Sequence, residues 1–242
     1  MGKLDGKVAL ITGASRGIGQ GIAEAFAGEG AAVTITARDA ERLSQTAESL
    51  RQKGTDVLVV QADVTDERQV QDVFRRSLER FGRLDILVNN AGVFDGAPLD
   101  ELSVETWDKV MAVNLRGPFL CTREAFRIMK HQRGGRIINI GSISAQRVRL
   151  HSAPYSTSKH GLWGLTQVTA LEGREYGVTC GCLHPGNTAV ETLAERRRLS
   201  REPVMSVADL VSAAVAMAAL PANINMLEAI VLPIEQPYLG RG

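Results

Sequence analysis

Short β-rich runs alternate with longer helical stretches along nearly the whole chain, and this alternation limits the fold more than any other feature. The strand-like runs are Val8–Thr12, Val33–Ala37, Val57–Gln61, Leu84–Val88, Arg136–Gly141, Val178–Leu183 and Leu227–Leu232. Most are continuously apolar, the pattern of strands covered by helices on both faces. Between them, helical patterning covers Ile18–Gly28, Ala40–Lys53, Glu67–Phe81, Val104–His131, Pro154–Tyr176 and Val207–Leu220. Seven strands interleaved with six helices predict an α/β fold: a doubly wound parallel sheet with helices on both faces.

No Pro/Ser-rich linker, composition shift or internal repeat divides the 242 residues, so one domain over 1–242 is expected. A folded chain of this size buries roughly 70–75% of its unfolded surface and needs no staple. Three cysteines, Cys121, Cys180 and Cys182, are too few and odd in number for a disulfide framework; they read as reduced thiols. Cys180 and Cys182 share one face of a strand without further ligands nearby, so they read as core and no metal is expected. With 28 Lys+Arg against 27 Asp+Glu, the net charge of +1 argues against a polyanion-binding surface, hence against a nucleic-acid partner. The cluster Arg196–Arg198 with Arg201 is offset by Glu191, Glu195 and Glu202 and reads as a solvated face. No apolar run approaches the roughly 18 residues of a membrane span. Met1–Gly6 leads directly into a strand, and Gly6 stands where a myristoylation signal carries Ser or Thr. A cytoplasmic protein without a membrane partner is expected.

The first strand ends in Thr12-Gly13-Ala14-Ser15-Arg16-Gly17-Ile18-Gly19, and a helix follows at once. Glycines at such a turn let the backbone approach a pyrophosphate while the helix presents free N–H groups and its positive dipole end. The spacing is Gly-x-x-x-Gly-x-Gly, not the Gly-x-Gly-x-x-Gly of the standard dinucleotide fingerprint. The end of the second strand bears on the cofactor's ribose. An acidic residue there indicates NAD; here Arg38 stands at the turn, where a guanidinium can clamp a 2′-phosphate. Arg16 offers a second positive group. Asp39 either leaves room for NAD(H) or caps the helix that starts at Ala40. NADP(H) is the expected cofactor, ahead of NAD(H).

Tyr155 and Lys159 lie four apart at the start of a helix, which stacks them on one face. A phenol, with a pKa of about 10, is a poor base near neutrality. A neighbouring ammonium favours the phenolate and makes proton exchange with a bound alcohol or carbonyl feasible. Ser142 closes the fifth strand, where its hydroxyl can meet a substrate oxygen at the carboxyl edge of the sheet. Two segments read as loops beside that edge: Val93–Glu101, and Gly186–Pro203, a candidate substrate lid. Between Ser142 and Tyr155, Arg147, Arg149 or His151 can either receive a carboxylate or phosphate or point to solvent.

Together these motifs resemble the short-chain dehydrogenase/reductase family over essentially the whole chain. They are Thr12-Gly13-x-x-x-Gly17-x-Gly19, Asn89-Asn90-Ala91-Gly92, Asn114, Ser142, Tyr155-x-x-x-Lys159 and Pro185-Gly186. The resemblance implies a Rossmann-like domain and nicotinamide-dependent hydride transfer. It implies Tyr155 as general acid/base, Ser142 as the hydroxyl that holds the substrate oxygen, and Lys159 as the ribose-binding partner of Tyr155. It implies Asn114 as support for a water relay to that lysine. Around the cofactor it implies Gly13, Ser15, Arg16, Gly17, Ile18 and Gly19 at the phosphates. It puts Asp63 and Val64 at the adenine edge, and Asn90, Ala91 and Gly92 near the ribose. Pro185 and Gly186 would flank the nicotinamide, with Thr188 meeting its carboxamide or a phosphate. The family usually carries Thr four residues beyond Gly186, where Val190 stands here, and the chain lacks the common Asp-Gly-Gly ending of the last strand. Its ending, Met226–Pro233 followed by Ile234-Glu235-Gln236-Pro237-Tyr238, resembles a branch that includes NADP-dependent dehydrogenases of serine and small 3-hydroxy acids. The expected function is hydride transfer between NADP(H) and a small carbonyl or secondary alcohol, with a hydroxy or oxo acid as one substrate class. A 3-oxoacyl thioester reductase is the alternative within the enzyme class, and a catalytically silent NADP(H)-sensing regulator the alternative outside it. The two long helices resemble the family's association faces, which implies a homodimer or homotetramer.

Overall fold

Seven strands, β1 (Val8–Thr12), β2 (Ala32–Ala37), β3 (Val57–Gln61), β4 (Ile86–Asn89), β5 (Gly135–Ile140), β6 (Val178–Pro185) and β7 (Glu228–Val231), form one sheet. Their spatial order is β3-β2-β1-β4-β5-β6-β7, and every pairing is parallel. The structure, a computed structural model, describes residues 2–190 and 203–238. Its helices are α1 (Gly17–Gly28), α2 (Ala40–Gln52), α3 (Glu67–Phe81), α4 (Val104–Met111), α5 (Gly117–Gln132), α6 (Ala153–Gly173) and α7 (Val207–Ala218).

Alternation along the strands divides the core into two layers. Ala9 and Ile11 of β1, Ile86 and Val88 of β4 and Ile138 and Ile140 of β5 face α1, α2 and α7 through Ile22, Phe26, Leu43 and Leu210. Their neighbours Leu10, Leu87 and Ile137 face the other way, onto Val73 and Phe74 of α3 and Leu120, Ala125 and Met129 of α5. Strands buried on both sides explain why the sequence is continuously apolar there. Cys180 and Cys182 are both fully buried on β6, as their placement in the core required. Burial pushes the Cys121 and Cys182 thiols up to about 12. Among the described residues no helix is long and apolar enough to cross a membrane.

Several boundaries differ from the sequence reading, each for a local reason. β4 starts at Ile86 rather than Leu84, because both backbone groups of Leu84 are taken by the Gln132 carboxamide, at 3.0 and 2.9 Å. β6 runs to Pro185 because β7 extends the ladder to the pair Pro185–Val231, and β7 itself is confined to Glu228–Val231. The stretch Val104–His131 is helical throughout, but a π-turn at Ala112–Arg116 widens it between α4 and α5. The Pro154–Tyr176 stretch ends in a 3₁₀ turn, Arg174–Tyr176. α7 stops at Ala218, before Leu220 and Pro221.

There the buried Arg136 guanidinium takes over, with Nη2 donating to the carbonyls of Leu220, Pro221 and Ile224, each at 3.1 Å. It ties the chain leaving α7 to β5. Arg136→Leu removes the donor from three carbonyls at once and is expected to cost roughly 2–4 kcal/mol of stability, measured as a lowered urea midpoint at unchanged slope. A midpoint within experimental error of the parent would show that the clamp contributes nothing.

Candidate active site

The strand order turns at β1 and β4, so the chain leaves β1 towards α1 on one face and leaves β4 towards α5 on the other. A cleft opens at the carboxyl edge between such diverging connections. The loop after β1 lies in it. Gly13 and Gly17 hold φ of +64° and +59°, the left-handed region that favours glycine. A Cβ on Gly19 would stand 2.3 Å from Asn90 Nδ2. That amide donates to the carbonyls of Thr12 and Gly13 at 2.9 and 3.0 Å, while Thr12 Oγ1 accepts from the Asn90 and Ala91 N–H groups at 3.0 Å. The glycine loop and the turn 89–92 are thereby locked together.

α2, α3 and α7 are capped by the side chains of Asp39, Asp66 and Ser206. α1, with extended Arg16 at its N-cap, has no side-chain cap. Its positive end thus faces the cleft beside a glycine cradle that any Cβ would obstruct, which fits the diphosphate of a dinucleotide. Ser15 is half-buried in this loop, Arg16 is exposed, and Ile18 packs onto the core.

The end of β2 lies farther along the same edge. Asp39 accepts from Arg42 N at 3.1 Å and so caps α2, one of the two roles the sequence leaves open to it. Arg38 has a 65% exposed side chain and lies 3.8 Å from Asp63 Oδ2. Asp63 Oδ1 accepts from Thr65 N and Oγ1 at 2.9 and 2.8 Å. Val64 packs beneath Gly117 at the start of α5.

The catalytic candidates converge where β4, β5 and α6 meet. Lys159 is buried and its Nζ donates to the Ile140 carbonyl at 2.8 Å. This Nζ stands 5.6 Å from the ring centre of Tyr155, whose other neighbour is Phe94, edge-on at 4.9 Å. Asn114 is buried in the π-turn. Its Oδ1 accepts from Val93 N and its Nδ2 donates to Val93 O, both at 2.8 Å, and to Ser158 Oγ at 3.2 Å. The widened turn re-aims this one carboxamide at the β4 loop, which is why a regular helix fails there. Gly92 sits between the two groups: a Cβ on it would be 3.5 Å from Asn114 Oδ1 and 4.0 Å from Lys159 Nζ. Ser142 follows β5, and its Oγ accepts from Ser144 N at 3.1 Å.

After β6, Pro185 and Gly186 lead to Thr188, whose hydroxyl donates to the Gly186 carbonyl at 3.1 Å. The segment then reaches the glycine loop, where Val190 Cγ1 would lie 3.2 Å from a Cβ on Gly17. Residues 191–202 of the candidate lid 186–203, including Thr192 and the Arg196–Arg198 cluster, lie outside the described residues. The three basic residues between Ser142 and Tyr155 are dispersed. Arg149 donates to Asn187 Oδ1 at 2.9 Å, Arg147 stacks over Tyr238 at 6.0 Å, and His151 is exposed in a left-handed conformation, φ +57°.

Some supporting residues went unnoticed in the sequence. Beneath the site, Asn89 Nδ2 donates to Thr122 Oγ1 and Asn139 Oδ1 at 3.0 and 2.8 Å, and Asn139 Nδ2 donates to Thr166 Oγ1 at 2.8 Å. Asn139, Ser158 and His184 belong to this underlayer. Their signal was polarity inside apolar runs, where a buried side chain must find a partner. His184 is fully buried, and its burial holds the imidazole below the ordinary histidine range. The Ser142 backbone and Glu228 oppose that shift, and Lys159 adds to it.

Comparison with known proteins agrees with this architecture. The family model described as short chain dehydrogenase matches residues 7–200. The uncharacterized oxidoreductase YxjF of Bacillus subtilis is 42% identical over 194 residues, covering 80% of this chain and 75% of that one. A 3-oxoacyl-(acyl-carrier-protein) reductase of Synechocystis is 35% identical over 206 residues, covering 85% and 82%. Among solved structures, an actinorhodin polyketide ketoreductase crystallised with NADPH superposes with a TM-score of 0.88 at 30% identity, covering 96% and 98%.

A histidine whose folded pKa lies below its unfolded value of about 6.5 takes up its proton more readily in the unfolded chain. The neutral His184 therefore leaves stability intact above about pH 6.5 and withdraws it as the pH falls from there towards the lowered folded value. Melting temperatures measured between pH 7.5 and 5.5 are expected to fall more steeply for the parent than for His184→Asn. Parallel curves would exclude His184 as a source of that acid sensitivity.

Proposed function

The chain belongs to the short chain dehydrogenase family, and we propose that within it this protein is an NADP(H)-dependent oxidoreductase of small carbonyl and secondary-alcohol substrates, small hydroxy and oxo acids among them. The observation that carries this reading is the placement of Lys159: buried, anchored on the Ile140 carbonyl at 2.8 Å, and 5.6 Å from the Tyr155 ring. A buried lysine is costly unless its charge is used, and here it lies one helical turn from the phenol.

The nicotinamide, when bound, supplies hydride in reduction and accepts it in oxidation. The protein's own groups handle the proton and the geometry. Tyr155 Oη gives its proton to the substrate oxygen in reduction and takes it back in oxidation. Ser142 Oγ already accepts from Ser144 N, so its own proton is directed to the substrate oxygen. Lys159 spends one N–H on Ile140 and retains two for the ribose hydroxyls, while its charge stands beside the developing phenolate. Asn114 fixes the β4 loop against α6 and supports the water relay to Lys159. Pro185 and Gly186 would wall the nicotinamide side, and the loop Gly13–Gly19 would hold the phosphates.

NADP(H) is favoured over NAD(H) because the group at the end of β2 is an exposed guanidinium, Arg38, with Arg16 exposed in the loop beside it. Asp39, the acidic residue there, is committed to capping α2. The NADPH complex of the related ketoreductase supports the same choice. The name of the Synechocystis relative favours a second reading, reduction of a 3-oxoacyl thioester. The exposed apolar residues Phe119 of α5 and Val168 and Leu171 of α6 support a homodimer or homotetramer. We place the protein in the cytoplasm as a single catalytic domain, with neither nucleic acid nor membrane as partner.

Tyr155→Phe is expected to lower kcat by about 10²–10⁴-fold while NADPH binding, followed by fluorescence, stays intact. Turnover near the parent level would remove Tyr155 from this role. Arg38→Asp is expected to lower the NADPH/NADH ratio of kcat/KM by at least tenfold, about 1.4 kcal/mol. An unchanged ratio would remove Arg38 from cofactor selection.

A further inference from the structure

His184 lies directly beneath Ser142, although nothing in the proposed chemistry requires a histidine there. Its imidazole packs flush against the backbone: a Cβ on Gly141 would fall 2.6 Å from His184 Nδ1. Trp163 of α6 closes its other side, edge-on at 5.8 Å. Nδ1 stands 2.9 Å from the Ser142 carbonyl oxygen and 3.3 Å from the Ser142 amide nitrogen. In one tautomer it donates to the carbonyl, and in the other it accepts from the amide. Either way the imidazole holds the main chain of the same residue, and the shorter contact favours donation to the carbonyl.

A second set of contacts extends from the far side of the ring. Nε2 faces Glu228 Oε1 of β7 at 3.4 Å. The alignment is too poor for a hydrogen bond. Glu228 accepts from the Gln146 carboxamide, which in turn accepts from the Tyr238 hydroxyl near the end of the described chain. Gln146 lies just beyond the 3₁₀ turn Ile143–Ala145, which begins at Ser142. The same residue is therefore approached from below by His184 and from above by a turn tied to β7 and the C-terminal segment.

We propose that His184 is a positioning residue for Ser142: it fixes the Ser142 main chain at the end of β5, so that the hydroxyl is aimed at the substrate oxygen, with Glu228, Gln146 and Tyr238 bracing the arrangement. The proposal rests on the reading of Ser142 as the group that holds the substrate oxygen. It differs from a general-base role, because the imidazole is fully buried and touches Ser142 through its backbone, not its hydroxyl. A hydroxyl displaced by even a fraction of an ångström loses its advantage in the transition state before it loses binding. The expected defect therefore lies in kcat, with cofactor affinity unmoved.

The test is a double-mutant cycle in the intact enzyme, measuring kcat, KM and the Kd of NADPH for His184→Leu, His184→Asn, Ser142→Ala and His184→Leu/Ser142→Ala. His184→Leu is expected to lower kcat about 10–100-fold with Kd for NADPH within about twofold, and the double variant to be no slower than Ser142→Ala alone. His184→Asn, whose carboxamide can replace Nδ1 as donor or acceptor, is expected to recover kcat to within about threefold of the parent. Effects that multiply in the double variant, or an asparagine no better than leucine, would overturn the proposal. If Ser142→Ala itself turns over like the parent, the reading of Ser142 fails and this proposal with it. If Ser142→Ala is impaired while His184→Leu is not, this proposal fails alone. Should His184→Leu not fold, Glu228→Ala at the exposed strand edge replaces it in the cycle. A several-fold loss of kcat that disappears in the Ser142→Ala background supports the proposal, and an additive loss or no loss overturns it.

Discussion

The hydrogen bonds between Thr12 and Asn90 close the seam on which the rest of the site depends. All seven strands are parallel, so all their carboxyl ends gather at one edge, and the loops there must carry both cofactor and substrate contacts. At β1 and β4 the chain departs towards opposite faces, and two adjacent strand ends would part without a lock. Thr12 and Asn90 supply it through side chains bonded to backbone, which fixes the glycine loop without occupying the space above it. The uncapped start of α1 then remains available to an anion.

The same logic extends into the sheet. Asn89, Asn139, Thr122 and Thr166 form a buried polar chain below the site, with Asn89 Oδ1 left without a hydrogen bond among the described residues. Apolar residues of similar size would stabilise a fold of this kind as well or better. A polar chain instead sets side-chain directions, because each amide can bond in only a few ways. It joins β4, β5, α5 and α6, the elements that carry the 90–92 turn, Ser142, Asn114, Tyr155 and Lys159. His184 continues this underlayer one strand over, and Lys159 ends it by binding the Ile140 carbonyl. Stability and function thus draw on the same residues at this edge, and the apolar layers farther down serve packing alone.

Much of this was legible in the sequence because it depends on local patterns. Continuous apolar strands pointed to the parallel sheet, the glycine spacing to the tight turn between β1 and α1, and the four-residue interval of Tyr155 and Lys159 to their shared helix face. The features that stayed hidden depend on tertiary contacts. Periodicity alone does not distinguish one long helix from α4 and α5 separated by a π-turn, because Asn114 disturbs the turn only when Val93 and Ser158 are opposite it. Leu84 looks like strand until Gln132, 48 residues away, takes its backbone groups. That Asp39 caps α2 shows only once the backbone of Arg42 is in place. His184 lies just past the strand expected over Val178–Leu183, and its role stayed hidden because its partners come from β5, α6 and β7.

We propose that one sheet edge combines an NADP(H) cradle with the proton donor Tyr155. Steady-state oxidation of NADPH and NADH, compared across small oxo acids, 3-oxoacyl thioesters and simple ketones, tests it most directly. Turnover is expected with at least one carbonyl class, and kcat/KM with NADPH at least about tenfold above that with NADH. Tight NADPH binding without turnover across the whole panel, or a clear preference for NADH, would contradict it.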